Sequence, residues 1–300
     1  MNKASFYMAV GLPGSGKSYL FESVIKKLSP DCVYVSSDAI REEVFGDVND
    51  QEHNEQVFDL MKRRTLDSLK AGVSVYYDAT NVSAKRRIGF LNGLSHIKDI
   101  ARVCVLNTPP VEIVKFRNAH RERKVPEYVI DRMLKTFNVP DYSEGWDVIL
   151  RYGSDEDHNA IEEIVCSSAV LSHDNPHHSA TVGVHMFNAA NYAEKELKAS
   201  WEVIEAACYH DIGKPICKVF QDAKGEPSDV AHYYNHENVG AYLYLSHAKN
   251  DGVSLYIANL IAHHMDFFKG EKYIEKIHNR FGEGFFRDLQ LLHEADVNAH

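Results

Sequence analysis

The run Gly11-Leu-Pro-Gly-Ser-Gly-Lys-Ser18 fits GxxxxGK[ST] without a gap. Gly11, Gly14 and Gly16 allow a backbone that curls around phosphate oxygens, with N–H groups at Ser15 and its neighbours turned inward. Lys17 would reach the β- and γ-phosphates and Ser18 would ligate Mg²⁺. A nucleoside triphosphate, taken as ATP, is the expected ligand. The loop alone does not choose between hydrolysis and transfer. Five further charged residues bear on that choice. Asp38 follows a β-rich run and is placed to accept a proton from an acceptor hydroxyl. Arg41, three residues on, is placed to hold an acceptor phosphate. The plainer alternative is that Asp38 only caps a helix. Asp78 closes the next β-rich run, where an Asx turn is the plainer alternative. Arg117 and Arg121 are four apart, which puts them on one helix face, to stabilise charge during transfer or simply to face solvent.

A second chemistry is written in the other half. His210-Asp211-Ile-Gly-Lys214 follows an apolar helical stretch, and at a helix end both His210 and Asp211 can turn toward one metal. His185 lies 25 residues earlier, and Asp296 lies in a C-terminal helical pattern. This set offers nitrogen and oxygen ligands suited to Mn²⁺, Mg²⁺, Fe²⁺ or Zn²⁺. His236 and the pair His263-His264 offer ligands for a second ion, with Asp211 bridging the two. A helix points adjacent residues about 100° apart, so only one of the pair is expected to ligate, and His263 is expected to be that one. Lys214 is placed to hold a substrate phosphate oxygen. His177, His178, His232 and His278 read as ordinary surface or hydrogen-bonded residues.

The elements that must position these residues differ between the halves. Ser5 to Val10, Cys32 to Ser36, Val73 to Asp78 and Ala101 to Leu106 read as strands, with a last one near Trp146 to Leu150. Helical stretches at Ser18 to Leu28, Asp38 to Phe45, Glu52 to Ala71 and Ser83 to Ser95 separate them, and Pro109-Pro110 introduces another. The alternation predicts an α/β domain, a parallel sheet with helices on both faces, over residues 1–152. Gly153 to Asn159 is polar and acidic and reads as the linker. From there to residue 300 the helical patterns (Thr181 to Ala199, Trp201 to Tyr209, Glu237 to Ala248, Ser254 to His264, Arg287 to His300) predict an all-α domain. Net charge divides the same way: of the total of −10, residues 1–152 carry +2 and the remainder −12, and 14 of the 17 histidines lie in the second part. The first part can face an anionic substrate, and the second is rich in ligands for hard or borderline cations. Five cysteines form no CxxC pair, which argues against a disulfide scaffold or a cysteine zinc site and fits a reducing cytoplasm. No apolar run reaches membrane-spanning length, and the first residues lead straight into a strand rather than a signal peptide.

Residues 5–150 resemble the polynucleotide 5′-kinase family of P-loop phosphotransferases, through GLPGSGKS, SSDAIR, DATN and RNAHRERKVPEYVIDRM in that order. The resemblance implies that Asp38 is the general base on a 5′-hydroxyl and that Arg41 contacts the acceptor's phosphate. It also implies that Asp78 belongs to the acceptor site and that Arg117 and Arg121 are lid arginines on the donor phosphates. Residues 167–300 resemble the HD phosphohydrolase superfamily, through HDIGK and the ordered H…HD…H…HH…D. That resemblance implies a metal-dependent phosphohydrolase, and more helix after Asp296 than the four residues present. The expectation is a bifunctional enzyme that heals nucleic-acid ends, RNA or DNA. It would pair an ATP-dependent 5′-kinase with a 3′-phosphatase or 2′,3′-cyclic phosphohydrolase, and a ligase is the expected partner. Two alternatives stay open: a kinase and phosphohydrolase of small nucleotides or signalling metabolites, and a regulatory ATP-binding module whose HD part is the only enzyme.

Overall fold

The computed structural model describes residues 3–175 and 180–299. Its first compact unit comprises residues 1–131 and 140–153, and its second residues 132–139 and 154–300. The division after Gly153 lies one residue from the expected boundary, but residues 132–139 go with the second unit, which no composition change announces.

Five parallel strands form the sheet of the first unit: β1 (Ala4–Val10), β2 (Val33–Ser36), β3 (Val75–Asp78), β4 (Ile100–Asn107) and β5 (Val148–Tyr152), in the order β2-β3-β1-β4-β5. The central strands β1 and β4 are almost wholly buried apolar runs, as a parallel sheet covered on both faces requires. Chain order reverses across the β1–β4 neighbours, and at such a switch point loops leaving adjacent strands diverge and leave a crevice. The phosphate loop leaves β1 at that crevice. Its helix α1 spans 17–28, with one π turn at Phe21–Ile25, and packs Leu20, Phe21 and Ile25 against Tyr7, Tyr76 and Val105 of the sheet. The remaining helices are α2 (Ser37–Phe45), α3 (Asn54–Lys70), α4 (Ala84–Gly93), α5 (Val111–His120) and α6 (Glu127–Lys135), which runs into the second unit.

A buried ion pair fixes the loop that follows β3. Arg87 on α4 donates to Glu144 Oε2 at 2.7 Å and Oε1 at 2.5 Å, and both side chains are fully buried. The same guanidinium donates to the carbonyls of Asn81 and Val82, and Trp146 Nε1 donates to Glu144 at 2.9 Å. Glu144→Ala would leave the guanidinium charged and buried without its counter-ion, which costs about 3–5 kcal/mol. Chemical denaturation of the variant should register a loss of that size, and an unchanged midpoint would remove the pair from this account.

The second unit is helical: α7 (His158–Ser168), α8 (Val182–Lys195), α9 (Trp201–Tyr209), α10 (Lys214–Cys217), α11 (His236–His247), α12 (Gly252–His263) and α13 (Glu271–Val297). It adds one short antiparallel ribbon, β6 (Val219–Gln221) with β7 (Pro227–His232), where a purely helical chain was expected. The expected linker is cut short because Asp157 caps α7, its side chain accepting from Asn159 N–H. Gly282 breaks α13 at φ 81°, a conformation closed to most side chains.

Candidate functional site

The loop after β1 has the geometry of a phosphate cradle. Gly14 and Gly16 both have positive φ, and a Cβ on Gly14 would stand 2.6 Å from the Val114 carbonyl of α5, so only glycine fits there. Asn107, at the end of β4, donates to the Ser15 carbonyl at 2.7 Å and steadies the loop. Lys17 is buried and folds back on the loop, donating to the carbonyls of Gly11 at 3.1 Å and Leu12 at 2.8 Å. Burial lowers its pKa, and the Asp78 carboxylate opposes that shift. Ser18 donates to Asp78 Oδ2 at 2.7 Å, and the Tyr34 hydroxyl donates to the same oxygen at 2.5 Å. A hydroxyl and a carboxylate oxygen at that separation match adjacent positions around Mg²⁺, which takes oxygen ligands at about 2.0–2.1 Å.

Asp38 is not the helix cap. The Ser36 hydroxyl accepts from the N–H groups of Asp38 and Ala39 and starts α2, which leaves the Asp38 carboxylate for other partners. That carboxylate pairs with Arg41 at 3.4 Å and with Arg123. Arg41 is buried and held by the Asp50 carbonyl at 2.7 Å and Asn54 Oδ1 at 2.5 Å. Burial and the neighbouring charge of Arg123 lower its pKa, and the carboxylates of Asp38 and Asp50 oppose that shift more weakly.

Arg117 and Arg121 do not share a helix face. Helix α5 ends at His120, and Arg121 is already extended, so the i,i+4 argument fails at the last residue. Arg117 faces the phosphate loop, its guanidinium 3.4 Å from the Ser15 carbonyl. Arg121 lies on the segment beyond the helix, close enough to oppose the charge of Lys17. Asn118 closes that segment by donating to the Val125 carbonyl at 2.8 Å and accepting from its N–H at 3.0 Å. Arg123 was not singled out from the sequence, although it stands in the same basic run.

In the second unit the candidate ligands converge from five helices or their ends. His185 on α8, and His210 and Asp211 just after α9, bring their ligand atoms within 4.8 Å of one another, and so do Asp211, His236 on α11 and His264 after α12. Asp296 on α13 joins the first group, its Oδ1 2.9 Å from His185 Nε2 and 3.4 Å from His210 Nε2. Asp211 serves both groups. Its Oδ2 lies 3.4 Å from His210 Nε2, and its Oδ1 lies 3.1 Å from His236 Nε2 and 3.7 Å from His264 Nε2. The four ring Nδ1 atoms each face a backbone carbonyl, of Ala299, Ala207, Tyr233 and Ile261, at 2.7–3.3 Å. A carbonyl only accepts, so Nδ1 carries a proton, and Nε2 is the atom each ring turns to the centre and would offer to a metal. Gly213 makes this approach possible, since a Cβ there would stand 2.1 Å from the His236 carbonyl.

Electrostatics marks the centre as a cation site. Burial disfavours charge on His210, but Asp211 and Asp296 outweigh it and push that imidazole up to about 10. Burial, with the imidazoles of His236 and His210, holds His264 down to about 4. Burial opposes ionisation of Asp211, yet Lys214 and His210 keep it well below the ordinary carboxylate range. The donor set of imidazole nitrogen and carboxylate oxygen fits a borderline or hard divalent ion.

The expectation of His263 as ligand is corrected. Helix α12 ends there, and the His263 Nδ1 turns to Asp266 Oδ2 at 2.7 Å, while His264, at the start of the 3₁₀ turn, points inward. Lys214 does not face open space, because its Nζ pairs with Asp211 Oδ2 at 2.6 Å. Buried His173, missed in the sequence, lies 3.3 Å from that Nζ. His232 pairs with Ser228 and His278 with Glu283, whereas His177 and His178 lie outside the described residues.

Residues 7–140 match the family model of an AAA domain, and residues 182–297 that of the HD domain. The L-seryl-tRNA(Sec) kinase of Methanococcus maripaludis is 28% identical over 141 residues, 46% of this chain and 54% of that protein. The chain therefore spans about half the length of that curated relative. Among solved structures, the Pnkp1/Rnl/Hen1 RNA repair complex is similar at 24% identity, with a TM-score of 0.37 over 44% of this chain and 43% of that one. A gluconokinase from Sinorhizobium meliloti 1021 is similar at 17% identity, with a TM-score of 0.35 over 50% and 83%. No helix of the described residues is long and apolar enough to cross a membrane.

Proposed function

We propose that this chain, a P-loop domain of the kinase type followed by an HD domain, heals broken nucleic-acid ends. One domain transfers the γ-phosphate of ATP to a 5′-hydroxyl, and the other hydrolyses a 3′-phosphate or a 2′,3′-cyclic phosphate. A ligase would consume the product. The observation that carries the reading is Asp38: Ser36 relieves it of capping, and it bears on the charge of Lys17 across the cradle. A carboxylate so placed serves transfer to a hydroxyl, which must lose its proton as it attacks.

In the first domain the Lys17 ammonium exchanges its two carbonyl partners for β- and γ-phosphate oxygens. Asp38 takes the hydroxyl proton, and Arg41 holds the acceptor's phosphate. Arg117, Arg121 and Arg123 spread positive charge over the transferred group. Mg²⁺ held by Ser18, with Asp78 beside it, would neutralise charge building on the donor phosphates. In the second domain, His185, His210, Asp211 and Asp296 would hold one divalent ion and Asp211, His236 and His264 another. Such ions lower the pKa of water and polarise a phosphate ester. The two oxygens of Asp211, turned to different groups, favour two ions over one.

Asp38→Asn keeps the shape of the side chain but cannot take a proton. It should bind ATP as before and lose about 10²–10⁴-fold in kcat. Near-normal turnover by the folded variant would mean that Asp38 is no base. The seryl-tRNA kinase likeness supports a second reading, in which the acceptor is a hydroxyl on a charged tRNA. Labelled ATP offered with 5′-hydroxyl oligonucleotides, mononucleosides and seryl-tRNA in parallel separates the acceptors.

A further inference from the structure

Tyr34 is a strand residue that the phosphate-loop motif does not include, yet its hydroxyl ends on the carboxylate beside Ser18. Strand β2 pairs with β3 in the register Tyr34↔Tyr76 and Ser36↔Asp78. Residues two apart on a strand share a face, so all four side chains stand on one side of the sheet. The Tyr34 ring lies nearly parallel to Tyr76, centroids 6.0 Å apart and planes 13° apart, and against Phe21 of α1 at 4.7 Å. A phenol laid along a strand spans about two residues, at about 3.3 Å each, and so reaches from position 34 to the level of Asp78. There it donates to Asp78 Oδ2 at 2.5 Å, beside the 2.7 Å bond from Ser18. Tyr76 repeats the device one strand over, its hydroxyl donating to the Lys17 carbonyl at 2.8 Å.

We propose that Tyr34 is a positioning residue for the metal side of the phosphate loop: its hydroxyl fixes the Asp78 carboxylate so that Oδ2 meets Ser18 and Oδ1 is left for the hydration shell of the nucleotide's Mg²⁺. The inference rests on the nucleotide-binding reading above and extends it to a residue outside the motif. Burial, together with Asp78, raises the pKa of the Tyr34 phenol, so the group keeps its proton and remains a donor. Without that donor the carboxylate is free to rotate, and Ser18 loses the acceptor that orients its hydroxyl. Partners that orient metal ligands typically contribute 10–100-fold in metal affinity.

The test is Tyr34→Phe, which keeps the ring stack and deletes one oxygen. A fluorescent ATP analogue is titrated onto the full chain in EDTA and then at increasing Mg²⁺, with thermal unfolding as a control. Metal-free nucleotide affinity should stay within about twofold, while the Mg²⁺ concentration that half-saturates the complex should rise roughly 10-fold. In an Asp78→Asn background the same change should add nothing. Unchanged Mg²⁺ dependence, or an equal loss of affinity in EDTA, would overturn the positioning role while leaving the nucleotide site intact. An effect fully additive to Asp78→Asn would overturn it as well. Failure of the unaltered protein to bind the analogue under any condition would overturn the nucleotide-site reading itself, and this inference with it.

Discussion

Asp211→Ala should lose its divalent ions together and abolish phosphoester hydrolysis, while transfer of phosphate from ATP continues within a few-fold of the normal rate. Among the described residues Asp211 is the one side chain that contributes to both ligand groups, through different oxygens, so its loss should empty both. It also balances the buried Lys214 ammonium at 2.6 Å, so the variant pays a stability cost as well as a chemical one. Asp211→Asn keeps the volume but also removes the charge, so thermal unfolding of both variants is read beside their metal content. Metal analysis of purified protein reads the result directly. His264→Ala should weaken only one ion, and His263→Ala should leave metal content unchanged, because His263 is turned to Asp266. Metal retained by Asp211→Ala, or lost from His263→Ala alone, would contradict the assigned centre.

Lys17→Ala should show the reverse pattern. Deleting one hydrogen-bond donor from a developing charge costs about 10²–10³-fold, and an ammonium in contact with two phosphates should reach at least the upper end. Hydrolysis by the HD domain should stay within a few-fold, since its ligands all belong to the second unit. Equal loss of both activities in a folded variant would mean that the two sites do not work independently.

What was legible in the sequence was what local pattern controls. The phosphate loop lies between a strand and a helix as its glycines and the apolar run before it require. Trp201–Tyr209 is helical over the span its pattern gives, since its apolar positions are undisturbed by glycine or proline. The failures occur where an element ends. Period alone cannot say that α5 stops at His120 and takes Arg121 off its face, nor that α12 stops at His263 and hands the inward position to His264. Tyr34 was invisible for another reason. In sequence it is an ordinary β-former, and its role arises from strand register, which brings Asp78 beside Ser36 across 42 positions of chain. Residues 132–139 are likewise assigned by tertiary contact: Phe137 packs edge-on against Tyr242 at 5.1 Å, and Asn238 donates to the Lys135 carbonyl.

The most direct test of the end-healing account uses one oligonucleotide carrying a 5′-hydroxyl and a 3′-phosphate, incubated with the purified chain, γ-labelled ATP and Mg²⁺ or Mn²⁺. The account predicts that label appears at the 5′ end and inorganic phosphate is released from the 3′ end, that Lys17→Ala stops only the first, and that Asp211→Ala stops only the second. Label confined to mononucleosides or other small acceptors, with the 3′-phosphate untouched, would contradict it.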